Sequence, residues 1–197
     1  MQGSKIRLSA AETELVTNAE IILTKNTILQ KTVLLLSEVR DALVNEAETG
    51  DLYPVPAPKI SKGENYLGLP YIVLDYPRIS AGDNFLFIRS MFWWGNFFSS
   101  TLQLSGAYKE KYVSGLIDAY QFLAAQQYFI GINNNPWHHH FEEDNYTKIS
   151  NLSKEAFSIL LKKRPHIKIA AHWPLSDWDS AGPYLIQSWK LLRRLTT

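Results

Sequence analysis

The sequence contains no cysteine among its 197 residues, and this absence excludes several kinds of chemistry. Disulfide bonds, thiolate nucleophiles and zinc sites with cysteine ligands all require a thiol. A chain without disulfides suits a reducing compartment, so we expect a cytoplasmic protein.

The sequence also lacks an excess of charge of either sign, because 20 lysines and arginines face 19 aspartates and glutamates. Such a balance gives no broad field that would attract nucleic acid or an anionic membrane, so we expect neither as a partner. No apolar run approaches the roughly 20 residues that span a bilayer. The N-terminus, MQGSKIRLSAAETEL, has no apolar signal-peptide region. These observations predict a soluble intracellular protein.

The apolar content of 46%, including 13% aromatic residues, is sufficient for a substantial core in one domain. We expect a single domain over residues 1–197, with a helical segment at 1–50, a proline-rich linker at 51–65 and an α+β core at 66–197. The run Tyr53-Pro-Val-Pro-Ala-Pro58 can form neither a helix nor a central strand. The next segment, Ser61 to Asn65, is predicted to be a loop.

The aromatic run FLFIRSMFWWGNFFSSTLQL, residues 85–104, is the centre of the predicted fold. Gly95-Asn96 is typical of a two-residue hairpin turn, which would pair Phe85–Trp94 with Phe97–Leu104 and place Trp93 opposite Phe98. Both faces of this hairpin carry large apolar groups, so we expect it inside a wider sheet that is covered on both sides. One face of the predicted hairpin holds Phe85, Phe87, Arg89, Met91, Trp93, Phe98, Leu102 and Leu104.

The N-terminal region has a helical pattern that starts with a capping box at Ser9 and Glu12. Its apolar stripe has a heptad spacing and consists of Leu15, Ile22, Leu29, Leu36 and Leu43. A single helix from residue 10 to residue 48 would be about 58 Å long at 1.5 Å per residue. We therefore predict a break at Lys25-Asn26-Thr27; the alternative is a protruding helix that pairs with a second copy in a homodimer.

Helical and strand patterns alternate through the rest of the chain. The predicted elements are a strand at 71–79 with Pro77 at an edge or bulge, a helix at 108–127, strands at 128–132 and 137–142, a helix from Ser153 to Pro165, a strand at 166–173 and a last helix opening between 177 and 183. This order predicts an α+β fold: a mainly antiparallel sheet around the central aromatic hairpin, with the N-terminal helices and three further helices packed on it.

The order of the elements resembles a known family over about residues 64 to 195. The first strand opens with Gly68-Leu-Pro-Tyr71. It is followed by the aromatic strands, a helix, a short strand, a second helix and a strand that ends at Pro174-Leu175. Gly182-Pro-Tyr-Leu-Ile186 opens the closing helix. This arrangement looks like the uncharacterised bacterial YktB-like family. The resemblance implies an α+β fold and brings no reaction or site with it.

Arg89 and Asp75 are charged residues in the middle of neighbouring predicted strands. An arginine on an aromatic face needs a carboxylate or a bound anion to be tolerated there. One interpretation is a structural ion pair between Arg89 and Asp75 or Asp118. The other is that Arg89 binds an anionic ligand at the base of an aromatic pocket formed with Trp93, Tyr71 and Trp137.

The segment from Trp137 to Asp144 contains three consecutive histidines. If it is extended, His138, His140 and Glu142 point to one side and could bind Zn²⁺, Mn²⁺ or Fe²⁺, with His172 as a further ligand. The alternative interpretation is a polar loop whose histidines form hydrogen bonds or face water.

These candidates lead to two functional hypotheses. The first is a non-catalytic domain that binds a small molecule, an anionic ligand or a partner in an aromatic-lined cleft. The second is a divalent-metal-dependent hydrolase that uses the His138, His140 and Glu142 cluster. The sequence has no Gly-x-Gly-x-x-Gly, Walker or Gly-x-Ser-x-Gly motif, which disfavours nucleotide-binding and serine-hydrolase chemistry.

Overall fold

The computed structural model describes residues 5–48 and 56–197. The helices are α1 (Ala10–Thr17), α2 (Ala19–Glu48), α3 (Gly106–Asp118), α4 (Tyr120–Ala125), α5 (Lys154–Lys163) and α6 (Trp178–Arg194). The strands are β1 (Lys59–Tyr66), β2 (Leu69–Ala81), β3 (Asn84–Trp93), β4 (Phe97–Ser105), β5 (Phe129–Gly131), β6 (Tyr146–Lys148) and β7 (His166–Pro174).

The strands form one sheet in the order β1-β2-β3-β4-β7-β5-β6, and every pairing is antiparallel. Helices α2, α3 and α6 pack on one face, where they bury the main apolar core. Large side chains at the centre of this core are Phe92, Phe98, Leu102, Phe157 and Trp189. The predicted α+β architecture is confirmed.

The aromatic hairpin is present, but its register differs by one residue from the predicted register. Trp93 pairs with Phe97 and Phe92 pairs with Phe98, so the turn has three residues, from Trp94 to Asn96. Gly95 has a φ of 72°, which glycine adopts without a steric penalty, and the Asn96 amide donates to the Trp93 carbonyl oxygen at 3.1 Å. The prediction of a two-residue turn with Trp93 opposite Phe98 was wrong.

This slip of one residue exchanges the two faces of β4 relative to β3. Phe98, Leu102 and Leu104 belong to the helix-covered core rather than to the face of Arg89. Arg89 pairs with Thr101 across the strands, and Ser99 and Gln103 lie on either side of Thr101 on that face. The face that carries Arg89 therefore combines the polar residues of β4 with a smaller apolar cluster around Trp93, and we call it the polar face.

Residues 132–145 lie over part of the polar face, and we call them the cover segment. The predicted strand at 137–142 was wrong, because residues 137–141 have no regular structure. The amides of His139 and His140 do not pair with a neighbouring strand, because both donate to the hydroxyl of Tyr66.

The N-terminal helices break at Asn18 and not at the predicted residues 25–27. Asn18 is extended (φ −93°, ψ 93°), and its Oδ1 accepts a hydrogen bond from the Glu20 amide at 3.0 Å, which caps the start of α2. From Ala19, α2 continues through all 30 of its residues, or about 45 Å. The capping box at Ser9 and Glu12 is confirmed, with both of its hydrogen bonds formed.

The region between the helices and the sheet also differs from the prediction. Lys59–Tyr66 forms β1 and pairs with β2, so residues 59–65 are an edge strand and not a linker or loop. Residues 49–55, which include the start of the predicted linker, lie outside the described residues. Pro77 lies in a bulge of β2, between Asp75 and Arg78, as the sequence predicted.

Two further features concern the helices. The predicted helix at 108–127 is divided into α3 and α4 at Ala119. Within residues 5–48 and 56–197, none of the helices combines the length and the apolar character that crossing a bilayer requires.

Candidate functional site

A cleft of about 380 Å³ lies on the polar face over β1, β2 and β3, next to the cover segment. Residues that line it include Lys59, Lys62, Tyr71, Arg78, Phe87 and Trp137. The lining thus combines cationic and aromatic side chains.

The floor of the cleft contains the pair Arg89 and Asp75, which are partners across β2 and β3. Arg89 donates from Nε to Oδ1 of Asp75 at 2.7 Å and from Nη2 to Oδ2 at 2.9 Å. The remaining guanidinium nitrogen also has a partner, because Nη1 donates to Nε2 of His139 at 3.1 Å. Arg89 therefore lines the cleft with its charge already paired, in the ion pair that the sequence predicted with Asp75.

Three further residues that line the cleft are cationic; Lys59 and Arg78 lie on the face of this floor, whereas Lys62 is the strand partner of Ile72 in the helix-covered core. Lys59, Lys62 and Arg78 are exposed, and none of them has a carboxylate partner within the described part of the chain. Lys59 is the strand partner of Asp75, whereas Arg78 follows the β2 bulge. Since Asp75 neutralises Arg89, the cleft carries a net positive charge.

Aromatic rings bound the cleft at both ends. The indole of Trp137 is 47% exposed, and its centroid lies 6.2 Å from that of Phe87 and 6.0 Å from Cζ of Arg89. At the other end, the ring of Tyr71 lies over Gly63, where an added Cβ would be 2.2 Å from Cζ of the tyrosine. Gly63 is thus required for the close approach of Tyr71 to β1.

The structure brings together four of the five predicted ligand-binding residues, namely Tyr71, Asp75, Arg89 and Trp137. The fifth, Trp93, lies in a buried apolar cluster with Val73, Met91 and Phe97. Its Nε1 donates to the carbonyl oxygen of Tyr66 at 3.2 Å, and its ring makes an edge contact with that of Phe97.

The cover segment is fixed to the sheet by the hydroxyl of Tyr66, the last residue of β1. This oxygen accepts from the amide of His139 at 2.6 Å and from the amide of His140 at 3.2 Å, and it lies 2.8 Å from Nδ1 of His140. One phenol therefore holds two consecutive residues of the segment that carries Trp137. Sequence reasoning missed Tyr66, because it assigned the preceding residues to a linker.

His139 of the cover segment and Lys168 of β7 are both buried. Burial, followed by the charges of Arg89 and Lys168, holds the pKa of His139 well below its usual value, which agrees with Nε2 acting as an acceptor. Burial and the charge of Arg89 lower the pKa of Lys168 to about 7. Nζ of Lys168 donates to the carbonyl oxygen of His138 and lies 4.6 Å from the ring centroid of Tyr146.

The predicted metal ligands do not form a site. The rings of His138 and His140 are 5.3 Å apart, but Nδ1 of His140 meets Tyr66 and its Nε2 lies 3.2 Å from Oδ1 of Asp144. Glu142 is exposed. Across residues 5–48 and 56–197, no group of three or more histidine, aspartate or glutamate side chains is placed to hold a metal ion. The geometry therefore gives the metal-ligand prediction no support.

No protein-family model, curated protein or solved structure matches this chain. The resemblance to the YktB-like family therefore stays a prediction, and the cleft is interpreted from its own residues.

Proposed function

We propose that this protein binds a small anionic molecule in the cleft and does not catalyse a reaction on it. The observation that supports this proposal most directly is a concave site in which Lys59 and Arg78 lie beside an ion pair that is already neutral. We further propose a cytoplasmic location, which rests on the lack of cysteine.

Electrostatics favours an anion at this position. The single carboxylate among the lining residues belongs to Asp75, and both of its oxygens accept hydrogen bonds from Arg89. An anionic ligand would therefore meet Lys59 and Arg78 without competing against a free carboxylate. Exposed cations that converge on a concave surface raise the local concentration of anions and accelerate their association.

The size of the cleft supports a small molecule. Its volume of about 380 Å³ falls within the range of roughly 300–1,000 Å³ that is usual for ligand pockets. The floor and one wall are held by the Arg89–Asp75 pair and by Tyr66, so most of the site is formed before a ligand arrives. A preformed site loses less conformational entropy on binding.

Titration calorimetry with benzoate, phenyl phosphate and citrate tests this proposal. We expect binding that weakens as salt is added, and a loss of about tenfold or more in affinity for the double variant Lys59→Gln/Arg78→Gln. The matched control is Lys31→Gln/Lys163→Gln, which removes the same charge from exposed positions on α2 and α5. If no anion binds, or if both double variants weaken binding equally, the proposal is wrong.

A second proposal, self-association, concerns the N-terminal helices. Helix α1 has no buried residue, and Leu15 and Ile22 are 56% and 55% exposed, although the same heptad stripe is buried further along at Leu36 and Leu43. A helix packed against Leu15 and Ile22 would extend the burial of the stripe that already exists at Leu36 and Leu43. We call the exposed residues 10–24 the arm. Because the arm presents the same apolar surface on every copy, a second copy related by a twofold axis would cover both arms. We therefore propose a homodimer.

A further inference from the structure

We infer that the ligand of the cleft is a planar aromatic anion, whose ring stacks on Trp137 and whose charged group is bound by Lys59 and Arg78. This inference rests on the proposed function and names the class of molecule that the same site would take.

The first observation is the state of Trp137. Its indole is 47% exposed inside a cleft, although Phe85 at 5.9 Å and Phe87 at 6.2 Å already pack against it. The Trp137 amide donates to Oδ1 of Asn135 at 2.9 Å, and two residues further on the Tyr66 hydroxyl holds the amide of His139. A large aromatic surface is thus held in place and left open, so a ring can stack on it at little cost in conformational entropy.

The second observation is the position of the cations relative to that indole. Arg78 is the strand partner of Phe87, whose ring contacts Trp137, so Arg78 lies on the strand beside the aromatic wall. Lys59 is the strand partner of Asp75, three residues before Arg78 on β2. When a ligand ring stacks on Trp137, an anionic group attached to the edge of that ring therefore lies next to Arg78 and Lys59.

The opposite end of the cleft limits the length of the ligand. Tyr71 lies over Gly63 and makes an edge contact with Tyr66 at a centroid distance of 6.3 Å, so its ring is fixed from two sides. Between Tyr71 and Trp137 the lining includes the apolar Val73. The aromatic and apolar surfaces of Trp137, Val73 and Tyr71 suit a flat ring system with one anionic end better than a polyanion such as citrate.

The anionic group can be a carboxylate or a phosphate. The planar guanidinium of Arg78 binds either of them through paired hydrogen bonds, and the ammonium of Lys59 adds a second charge. The comparison of benzoate with phenyl phosphate in the experiment decides which of the two the site prefers.

The test compares ligands that differ in one property, by titration calorimetry at constant salt. Benzoate has the ring and the charge, cyclohexanecarboxylate keeps the charge without the planar ring, and benzamide keeps the ring without the charge. We expect benzoate to bind about tenfold more tightly than either, because stacking on an aromatic ring and a hydrogen-bonded pair with a cation each contribute at this level. Trp137→Leu should remove the preference over cyclohexanecarboxylate, and the double variant Lys59→Gln/Arg78→Gln should remove the preference over benzamide.

Trp137→Phe is the matched control, because it keeps an aromatic ring and should keep the preference for benzoate. Circular dichroism checks that each variant is folded. Equal binding of benzoate and cyclohexanecarboxylate overturns the inference and leaves the proposed anion site intact. Failure of every anion overturns the proposed function as well. If an acidic peptide displaces benzoate and binds more tightly, the inference of an aromatic ligand is also overturned, in favour of a protein partner.

Discussion

Nη1 of Arg89 donates a hydrogen bond to Nε2 of His139 at 3.1 Å, which joins the floor of the cleft to the cover segment. The bond requires a lone pair on His139, and burial together with the charges of Arg89 and Lys168 keeps the pKa of the imidazole low. Protonation would place a third cation between two others. The position of the cover segment therefore depends on a neutral His139.

The first prediction concerns pH. The folded-state pKa of His139 lies below the unfolded value, so below about pH 6.5 the unfolded chain binds more protons and the free energy of unfolding falls. His166, whose pKa burial lowers to about 4, acts in the same direction. We expect a loss of about 1.5 kcal/mol per histidine between pH 6.5 and pH 5, measured by urea unfolding. Lys168, with its pKa of about 7, extends this rise in stability upward through pH 7 to 10.

His139→Gln provides the matched variant, because the glutamine oxygen can accept from Arg89 at every pH. The groups that face this position are Arg89 on β3, Lys168 on β7, Tyr66 on β1 and the neighbouring His138 and His140. We expect a smaller slope of stability against pH in the variant. A slope identical to that of the unchanged protein would show that His139 does not carry the effect.

The second prediction concerns the ion pair in the cleft floor. Arg89→Ala leaves the buried carboxylate of Asp75 without its two donors, and we expect a destabilisation of about 3–5 kcal/mol in thermal or urea unfolding. The double variant Arg89→Met/Asp75→Leu removes both charges and should be less destabilised than Arg89→Ala. Unchanged stability of Arg89→Ala would mean that the pair does not stabilise the fold.

The third prediction concerns the attachment of the cover segment. Tyr66→Phe deletes the hydroxyl that accepts from two backbone amides, and we expect a loss of about 1–3 kcal/mol. Chymotrypsin should cleave the variant faster after Trp137 and Phe141, since both residues lie in the released segment. Tyr71→Phe removes a hydroxyl from the same face and is the control. Equal cleavage of the two variants would contradict an anchoring role for Tyr66.

The fourth prediction concerns the N-terminal helices. Leu15→Glu/Ile22→Glu should convert a dimer into a monomer in light scattering, because charges on the exposed stripe oppose the packing of two arms. The double variant should remain folded by circular dichroism, because Leu15 and Ile22 are 56% and 55% exposed in the single chain. Leu34→Glu alters an apolar residue of α2 that is 64% exposed and should leave the mass unchanged. A monomeric unchanged protein at high concentration would refute the dimer.

The sequence predicted those elements whose own side chains determine them. Ser153 was expected to start a helix, and its Oγ accepts from the amide of Ala156 at 3.2 Å. The strand over residues 166–173 and the hairpin after Phe85 carry dense β-forming residues and are present. The pairing of Arg89 with Asp75 followed because a charge on an aromatic face requires a partner.

The elements that were missed depend on distant groups. Lys59–Tyr66 has few apolar residues, and it is a strand because β2 offers it an unpaired edge. Residues 137–142 were predicted to be a strand, but the amides of His139 and His140 donate to the hydroxyl of Tyr66 instead of to a neighbouring strand. The hairpin register turned on whether Trp94 belongs to a strand or to the loop, and local propensity does not distinguish these two arrangements.

The outermost strand β1 supplies both Lys59, a cation of the cleft, and Tyr66, the attachment point of the cover segment. If this one strand detached, the cleft would lose both Lys59 and the anchored position of Trp137, while the helix-covered core remained folded. A captured molecule could leave by such local opening without global unfolding. Its residence time would then be set by how often the edge of the sheet frays.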